Sequence, residues 1–466
     1  MEAGLANPGE SDRDFRALQL TCERAIGSPL YREKLGDLSL ATIDDFQKIP
    51  LTKRHDLQRV GMHGTRAVPL EEVCHYGETS GTTGASNSTW LTAGDFARNA
   101  QAIAVRHPDV FAPGRVVINR FPFMSAPAHI IQLIAQQGSG VSIPAGNINW
   151  DVPFPRALDL VRRTGARVLA GFPFEPIILA KLAEAQGIDP AKDLALDTFF
   201  LGGSPLPPVL QRRIEKIWDA RVIELYGSTE TMLLGTGCGQ RSLHLETEQA
   251  YCEIFQLDCE ELASVGEVGR LVVTTLGVEG SPLIRFDTGD RVRLLPPCGC
   301  GDPRPAIVVL GRDGDEVKLG GSQFHSYEVI EAAAAAADAI DSSVFFTVVL
   351  PDRLLVRIEA EFADPAPAYA ALRDHLGDLK VEIECAAPNM VLDTETLCRS
   401  PSVYKPVLVS DWRGPDRAIL SIDQGMIEWP ALGLAEGGRW LNRIWKKALT
   451  RRRLKQKIRV AKRRGE

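Results

Sequence analysis

Between about residues 95 and 235, strand-like apolar runs alternate with longer segments of helical periodicity, and no other feature of the chain restricts its fold as much. The strand-like runs are RVVINRF (115–121), GVSIP (140–144), RVLAGF (167–172), LDTFFLGG (196–203) and RVIELYG (221–227). Among them lie AHIIQLIAQQG, FPRALDLVRRTG, EPIILAKLAEAQG and PPVLQRRIEKIWD. Alternation of this kind builds a layered α/β core around parallel strands. In such cores the ligand site lies at the strand ends. After residue 240 the pattern changes to strands bounded by Gly and Pro, GEVGRLVVTTLG and PAIVVLGRDGDEVKLGG, which predicts a β subdomain. A Gly-rich crossing at 311–321 leads into a small α+β unit holding the helix SYEVIEAAAAAADA, the strands SVFFTVVL and LLVRIEAEF, and the helix PAYAALRDHLG.

The loop in HYGETSGTTGASNSTWLT (75–92) lies between two strand-like flanks and runs into the helical pattern AGDFARNAQAIAVRH. Small residues let backbone N–H groups crowd around one point, and Ser80, Thr82 and Thr83 add hydroxyl donors, so the loop suits an anion such as a nucleotide phosphate. It is not a Walker A loop, because Gly84 is followed by Ala85, Ser86 and Asn87. From this stretch alone a flexible Gly/Ser/Thr linker reads equally well.

With 466 residues and 44% hydrophobic content, the chain can form two or three domains with real cores. It holds no run of about 20 apolar residues, and its start, MEAGLANPGESDRDFR, is polar and acidic. Neither a membrane span nor a signal peptide is expected, and the location expected is cytoplasmic. Nine cysteines, scattered from Cys22 to Cys398, fit free thiols or a metal site better than a disulfide framework. The net charge of −7 hides an asymmetry: residues 442–466 hold 12 of the 53 Lys and Arg and one of the 60 Asp and Glu. The remaining body is strongly acidic, which argues against nucleic acid as a general partner.

Further segments stand in a telling order: FQKIPLTKRHDL (46–57), TSGTTG (79–84), GGSPL (202–206), ELYGSTE (224–230), LIRFDTGD (283–290) with GRDGDEVKLGGSQFHSYEVIE (311–331), and RSPSVYKP (399–406). In this order, over residues 40–410 or so, the chain resembles the adenylate-forming enzymes, most closely the phenylacetate–CoA ligase-like family. The resemblance implies a large N-terminal layered α/β domain with a β subdomain, followed by a small mobile α+β domain. The divisions expected are 1–312 for the large domain, 313–411 for the small one and 412–466 for a basic extension.

The same resemblance assigns roles. Thr79, Ser80, Gly81, Thr82, Thr83 and Gly84 would hold ATP phosphates, and Gly202, Gly203 and Ser204 the strip beside the adenine. In ELYGSTE, Tyr226 offers a face to the purine, Gly227 and Ser228 continue the cradle, Thr229 touches the α-phosphate, and Glu230 supplies a carboxylate for Mg²⁺, a cation that prefers oxygen ligands. Asp290 would accept the ribose hydroxyls and Arg312 make a second ribose or phosphate contact. Lys405 would stabilise the charge that gathers as a carboxylate attacks the α-phosphorus and expels pyrophosphate. The chain departs from the family pattern at Tyr404, where glycine is common, at Asn87, where many relatives carry lysine, and at Gly314, the hinge position, usually Asp or Lys.

Phe123, Met124, His129 and Phe172 would line an apolar, partly aromatic acyl pocket suited to an aromatic or short hydrophobic acid; His129 reads equally as a core histidine. Cys238, His244, Cys298 and Cys300 form a set of three thiols and an imidazole. Two readings of it stay open, buried free thiols and a structural Zn²⁺ site. The tail WLNRIWKKALTRRRLKQKIRVAKRRGE reads as a basic helix, either a solvated extension or a docking element for an acidic carrier protein or an anionic membrane surface.

The reaction expected is activation of a carboxylic acid by ATP with Mg²⁺, then transfer to a thiol, coenzyme A first. The alternatives are transfer to a carrier-protein phosphopantetheine or an amine, and, in another class, a non-catalytic nucleotide or acyl binder. A homodimer is compatible with the sequence.

Overall fold

The strand Thr198–Gly202 shows how the centre of the molecule is built. Phe199 and Leu201 join one apolar cluster and Phe200 the other, so successive side chains feed opposite faces and both faces are covered. That is why the run reads as continuously apolar rather than alternating. Phe199 and Phe200 are fully buried, and truncating either to alanine would cost about 3–5 kcal/mol. The structure is a computed structural model that describes residues 12–36, 40–79, 86–146, 152–392, 408–411 and 413.

An 11-stranded mixed sheet runs through the large unit. In spatial order its strands are Ala250–Phe255, Val268–Thr275, Phe286–Leu294, Ala306–Arg312, Leu243–Leu245, Met232–Gly237, Arg221–Ser228, Thr198–Gly202, Val168–Gly171, Val116–Asn119 and Val141–Pro144. The last five pair in parallel. The Gly/Pro-bounded strands after residue 231 pair antiparallel and extend the same sheet. The helices Ala93–Arg106 and Ala126–Gln137 cover one face of the parallel half, and Phe154–Thr164, Glu175–Ala185 and Pro208–Trp218 the other. Four of the five carry proline in their first turn, where the missing N–H would have no intrahelical partner anyway.

The later segment holds a 4-stranded sheet ordered Val381–Ala386, Leu354–Glu359, Phe345–Val349, Val409–Asp411, with the helices Ser326–Ala339 and Ala366–Leu376. Its apolar residues merge into the cluster formed by the second helical layer. Polar contacts border that packing: Arg213 Nη1 meets Asp341 Oδ1 at 2.6 Å, Arg293 Nη2 meets Glu328 Oε1 at 3.0 Å, and Lys181 pairs with Glu359. Among the described residues no helix is long and apolar enough to cross a membrane.

Candidate active site

Strand register brings together residues far apart in the chain. The strand Val73–Glu78 pairs antiparallel with Ser88–Thr92, and this ribbon brackets the glycine-rich loop. Ser80, Gly81, Thr82, Thr83 and Gly84 lie outside the described residues. The neck of the loop is described: Thr79 N donates to the Asn87 carbonyl at 3.1 Å, and Asn87 N donates to Thr79 Oγ1 at 2.9 Å. Asn87, 1% exposed, also donates from Nδ2 to Glu230 Oε1 at 2.8 Å. The loop base is therefore tied to the carboxylate that ends ELYGSTE.

That motif runs off the strand Arg221–Ser228 into a tight turn. Thr231 N donates to Ser228 Oγ at 3.2 Å, and Met232 takes a positive φ of 60°. A Cβ on Gly227 would stand 2.0 Å from the Met232 carbonyl oxygen, so only glycine fits there. Gly202 is held likewise, since a Cβ there would lie 2.4 Å from the Leu225 carbonyl oxygen. Gly203, at φ 81°, and Ser204 follow at the end of the neighbouring parallel strand. The side-chain oxygen of Ser204 is buried without a hydrogen-bond partner.

Asp290 and Arg312 are directly paired across adjacent strands, which puts DTGD beside GRDGD. Arg312 Nε lies 3.5 Å from Asp290 Oδ1, and Tyr226 Oη donates to Asp290 Oδ2 at 2.6 Å. Burial raises the Asp290 carboxyl above its ordinary range, while Arg312 and the Tyr226 hydroxyl pull it back; the nearby Glu230 adds to the rise. Tyr226 is pushed well above the usual phenol range by burial and then by Asp290. Tyr226, Asp290 and Arg312 thus form one bonded polar group, and Glu230, which Asn87 links to the loop neck, lies near enough to act on Asp290.

His129 Nε2 donates to the Phe123 carbonyl at 2.8 Å, and Phe123 and Met124 stay exposed at 40% and 53%. Phe172 is buried instead, edge-on to Phe121 with ring centroids 6.0 Å apart. Lys405, with Arg399 and Tyr404, lies outside the described residues.

Two residues here escaped the sequence reading, Glu224 and His75, and so did the partner of a third, Asn87. Glu224 occupies the same face of its strand as Tyr226, two residues earlier, and burial alone pushes it up to about 8. The signal was an acid inside an otherwise apolar strand, RVIELYG. His75, in the strand leading to the loop, has a buried Nε2 with no hydrogen-bond partner. Asn87 was visible as a departure from a family pattern, but its bond to Glu230, 143 residues away, was not.

The ligating atoms of Cys238, His244, Cys298 and Cys300 all lie within 4.8 Å of one another. Cys238 Sγ and Cys298 Sγ are 3.7 Å apart, and Cys300 Sγ is 3.4 Å from His244 Nε2. A tetrahedron with ~2.3 Å Zn–S bonds has edges of ~3.8 Å, so the spacing suits a four-ligand ion, and the three thiols are free. His244 Nδ1 donates to the Arg304 carbonyl at 3.0 Å, which leaves the lone pair of Nε2 facing the thiols.

The chain is 27% identical over 317 residues to the phenylacetate-coenzyme A ligase of Pseudomonas putida, covering 65% of this chain and 70% of that protein. It is 25% identical over 328 residues to the phenylacetate-coenzyme A ligase of Thermus thermophilus, with 67% and 72% covered. Among solved structures, a 2-hydroxyisobutyryl-CoA ligase in its postadenylation state with R3-HIB-AMP shares the fold, with a TM-score of 0.73 at 21% identity over 89% of this chain and 91% of that one. The family model described as AMP-binding enzyme matches residues 40–279. That match takes in the loop neck and Glu230 and spans more than half of the chain, which belongs to the family of AMP-binding enzymes.

Proposed function

We propose that the protein is an AMP-forming carboxylate ligase: it activates a carboxylic acid with ATP and transfers the acyl group to coenzyme A. The observation that carries this reading is the nearness of two polar groups, the loop neck bonded through Asn87 to Glu230 and the bonded set of Tyr226, Asp290 and Arg312. A carboxylate beside a tyrosine and an arginine suits a ribose diol and an adjoining phosphate. A Gly/Thr-rich segment whose neck lies next to a second carboxylate suits a metal-bound triphosphate. The named ligases to which the chain is similar act on phenylacetate with coenzyme A.

In the first step a carboxylate oxygen of the acid attacks the α-phosphorus of ATP, the bond from that phosphorus to the bridging oxygen breaks, and pyrophosphate leaves. Thr229 touches the α-phosphate and Lys405 meets the charge developing on its oxygens. Glu230 would hold Mg²⁺, which when bound offsets phosphate charge. In the second step the sulfur of coenzyme A attacks the acyl carbonyl carbon, and AMP leaves with the electron pair of the broken C–O bond. Phe123, Met124 and His129 flank the acyl group; the acid favoured is aromatic or short and hydrophobic.

The working division is 1–312 for the ATP and acyl site and 313–411 for a small domain that turns about Gly314, with 412–466 as a basic extension. Gly314 has φ 85° and open space where a Cβ would be, so it can absorb a large backbone rotation. The Cys238, His244, Cys298 and Cys300 set would hold a structural Zn²⁺ that staples the turn after Gly237 to the loop before Ala306, apart from the chemistry.

Product analysis by mass tests the reading. Incubation with ATP, Mg²⁺, coenzyme A and a panel of aromatic and short acids should give acyl-CoA, AMP and pyrophosphate in equal amounts. Formation of ADP and phosphate would refute it, and AMP released without any thioester would point to a carrier protein or an amine as acceptor.

A further inference from the structure

His75 and Gly77 share one face of the strand Val73–Glu78, and because Gly77 has no side chain, His75, Thr229 and Met124 close around its position. A methyl group placed on Gly77 would lie 3.3 Å from His75 Nε2, 3.3 Å from Thr229 Cγ2 and 3.2 Å from the Met124 carbonyl oxygen. The His129 ring stands 4.5 Å from the His75 ring, and Phe96 meets His75 edge-on at 5.4 Å. His75 therefore sits where the nucleotide side, marked by Thr229, meets the acyl side, marked by Met124 and His129. At this junction Nε2 is buried and has no hydrogen-bond partner. Buried polar atoms in folded proteins are nearly always paired, so an unpaired one at a binding site points to a ligand that completes it.

We propose that His75 Nε2–H donates a hydrogen bond to the carboxylate of the bound acid, and then to the carbonyl oxygen of the acyl-adenylate, holding the acyl group in line with the α-phosphorus. The inference rests on the reading of Thr229 and the acyl side given above. The ring is kept neutral: burial, and after it the neighbouring His129, hold His75 down to about 4. A neutral donor suits a group that is anionic before adenylation and uncharged after it, because it binds both forms without trapping the first. His129, held by its own bond to the Phe123 carbonyl, packs against His75 and fixes the plane of its ring.

Equilibrium binding of a non-hydrolysable acyl-sulfamoyl adenosine, compared with binding of ATP, tests this on the full chain, the acyl group being that of an acid the wild-type protein turns over. His75→Phe should weaken the mimic roughly 10- to 100-fold, as expected for a lost hydrogen bond to a polar or charged ligand group, and leave ATP affinity within about twofold, which also reports an intact fold. His75→Gln, which returns an N–H near the position of Nε2, should recover most of the loss. Gly77→Ala, whose methyl would crowd His75 Nε2 while leaving the imidazole in place, should weaken the mimic selectively as well. In turnover the loss should appear in KM for the acid and not in KM for ATP. The proposal is overturned if His75→Phe binds the mimic like wild type, or if mimic and ATP affinity fall together in both His75 variants. Should wild type activate no acid, the reading beneath the proposal fails and the proposal falls with it.

Discussion

Replacing Asn87 by alanine separates two functions that the loop neck combines. The backbone and hydroxyl bonds between Thr79 and Asn87, at 3.1 and 2.9 Å, need no Asn87 side chain and should survive. What disappears is the 2.8 Å bond from Nδ2 to Glu230 Oε1. A hydrogen bond to a charged group contributes about 1.5–3 kcal/mol. Glu230 is only half-buried, so water replaces part of it, and the lower range of ~1–2 kcal/mol is the better figure, a factor of roughly 5–30. Because Glu230 is the proposed Mg²⁺ carboxylate, the loss should appear as a raised Mg²⁺ concentration for half-maximal adenylation and a lower maximal rate. The assay is acid-dependent pyrophosphate exchange across a Mg²⁺ titration, with thermal unfolding as the control for folding. An Asn87→Ala protein with wild-type Mg²⁺ dependence and rate would refute the claim that Asn87 positions Glu230.

Other perturbations follow from the same geometry. Glu224 is raised to about 8 in the folded protein from an ordinary 4.5, so its contribution to stability is full below pH 4.5 and is lost as pH rises through 8. Urea unfolding of Glu224→Gln should therefore lack on the order of 1–3 kcal/mol of the decline that wild type shows between pH 5 and 8, and equal slopes would refute this. Metal analysis of protein purified without added metal should find about one zinc per chain, and Cys298→Ser should lower both zinc content and melting temperature; a fully stable metal-free protein would contradict the site. Lys405→Ala should slow acyl-AMP formation roughly 10²–10³-fold yet turn preformed acyl-AMP and coenzyme A into thioester at near-normal rate. Equal loss in both half-reactions would defeat the domain rotation.

Much of the fold could be read from local pattern. The helix Ser326–Ala339 coincides with SYEVIEAAAAAADA, and each apolar run from RVVINRF to RVIELYG became a strand. Periodicity reports which face a residue occupies, and faces suffice to assemble a layered core. It does not report partners. That the strands beyond residue 231 extend the parallel sheet depends on pairings such as Leu225 with Thr236 and Asp290 with Arg312, which arise only from long-range register. The site divides the same way. ELYGSTE and DTGD were recognisable as motifs, whereas the Tyr226 hydroxyl on Asp290 and the Asn87 amide on Glu230 join residues 64 and 143 positions apart. His75 went unnoticed because a histidine in a half-buried strand carries no local mark of an unpaired nitrogen.

The central claim, that an acid and ATP react to an acyl-adenylate before any acceptor enters, is tested most directly by exchange of labelled pyrophosphate into ATP. With Mg²⁺, ATP and an acid from an aromatic and short-chain panel, label should enter ATP in the absence of coenzyme A and only when the acid is present. Exchange that requires coenzyme A, or its absence with every acid while the same protein makes thioester, would contradict the account.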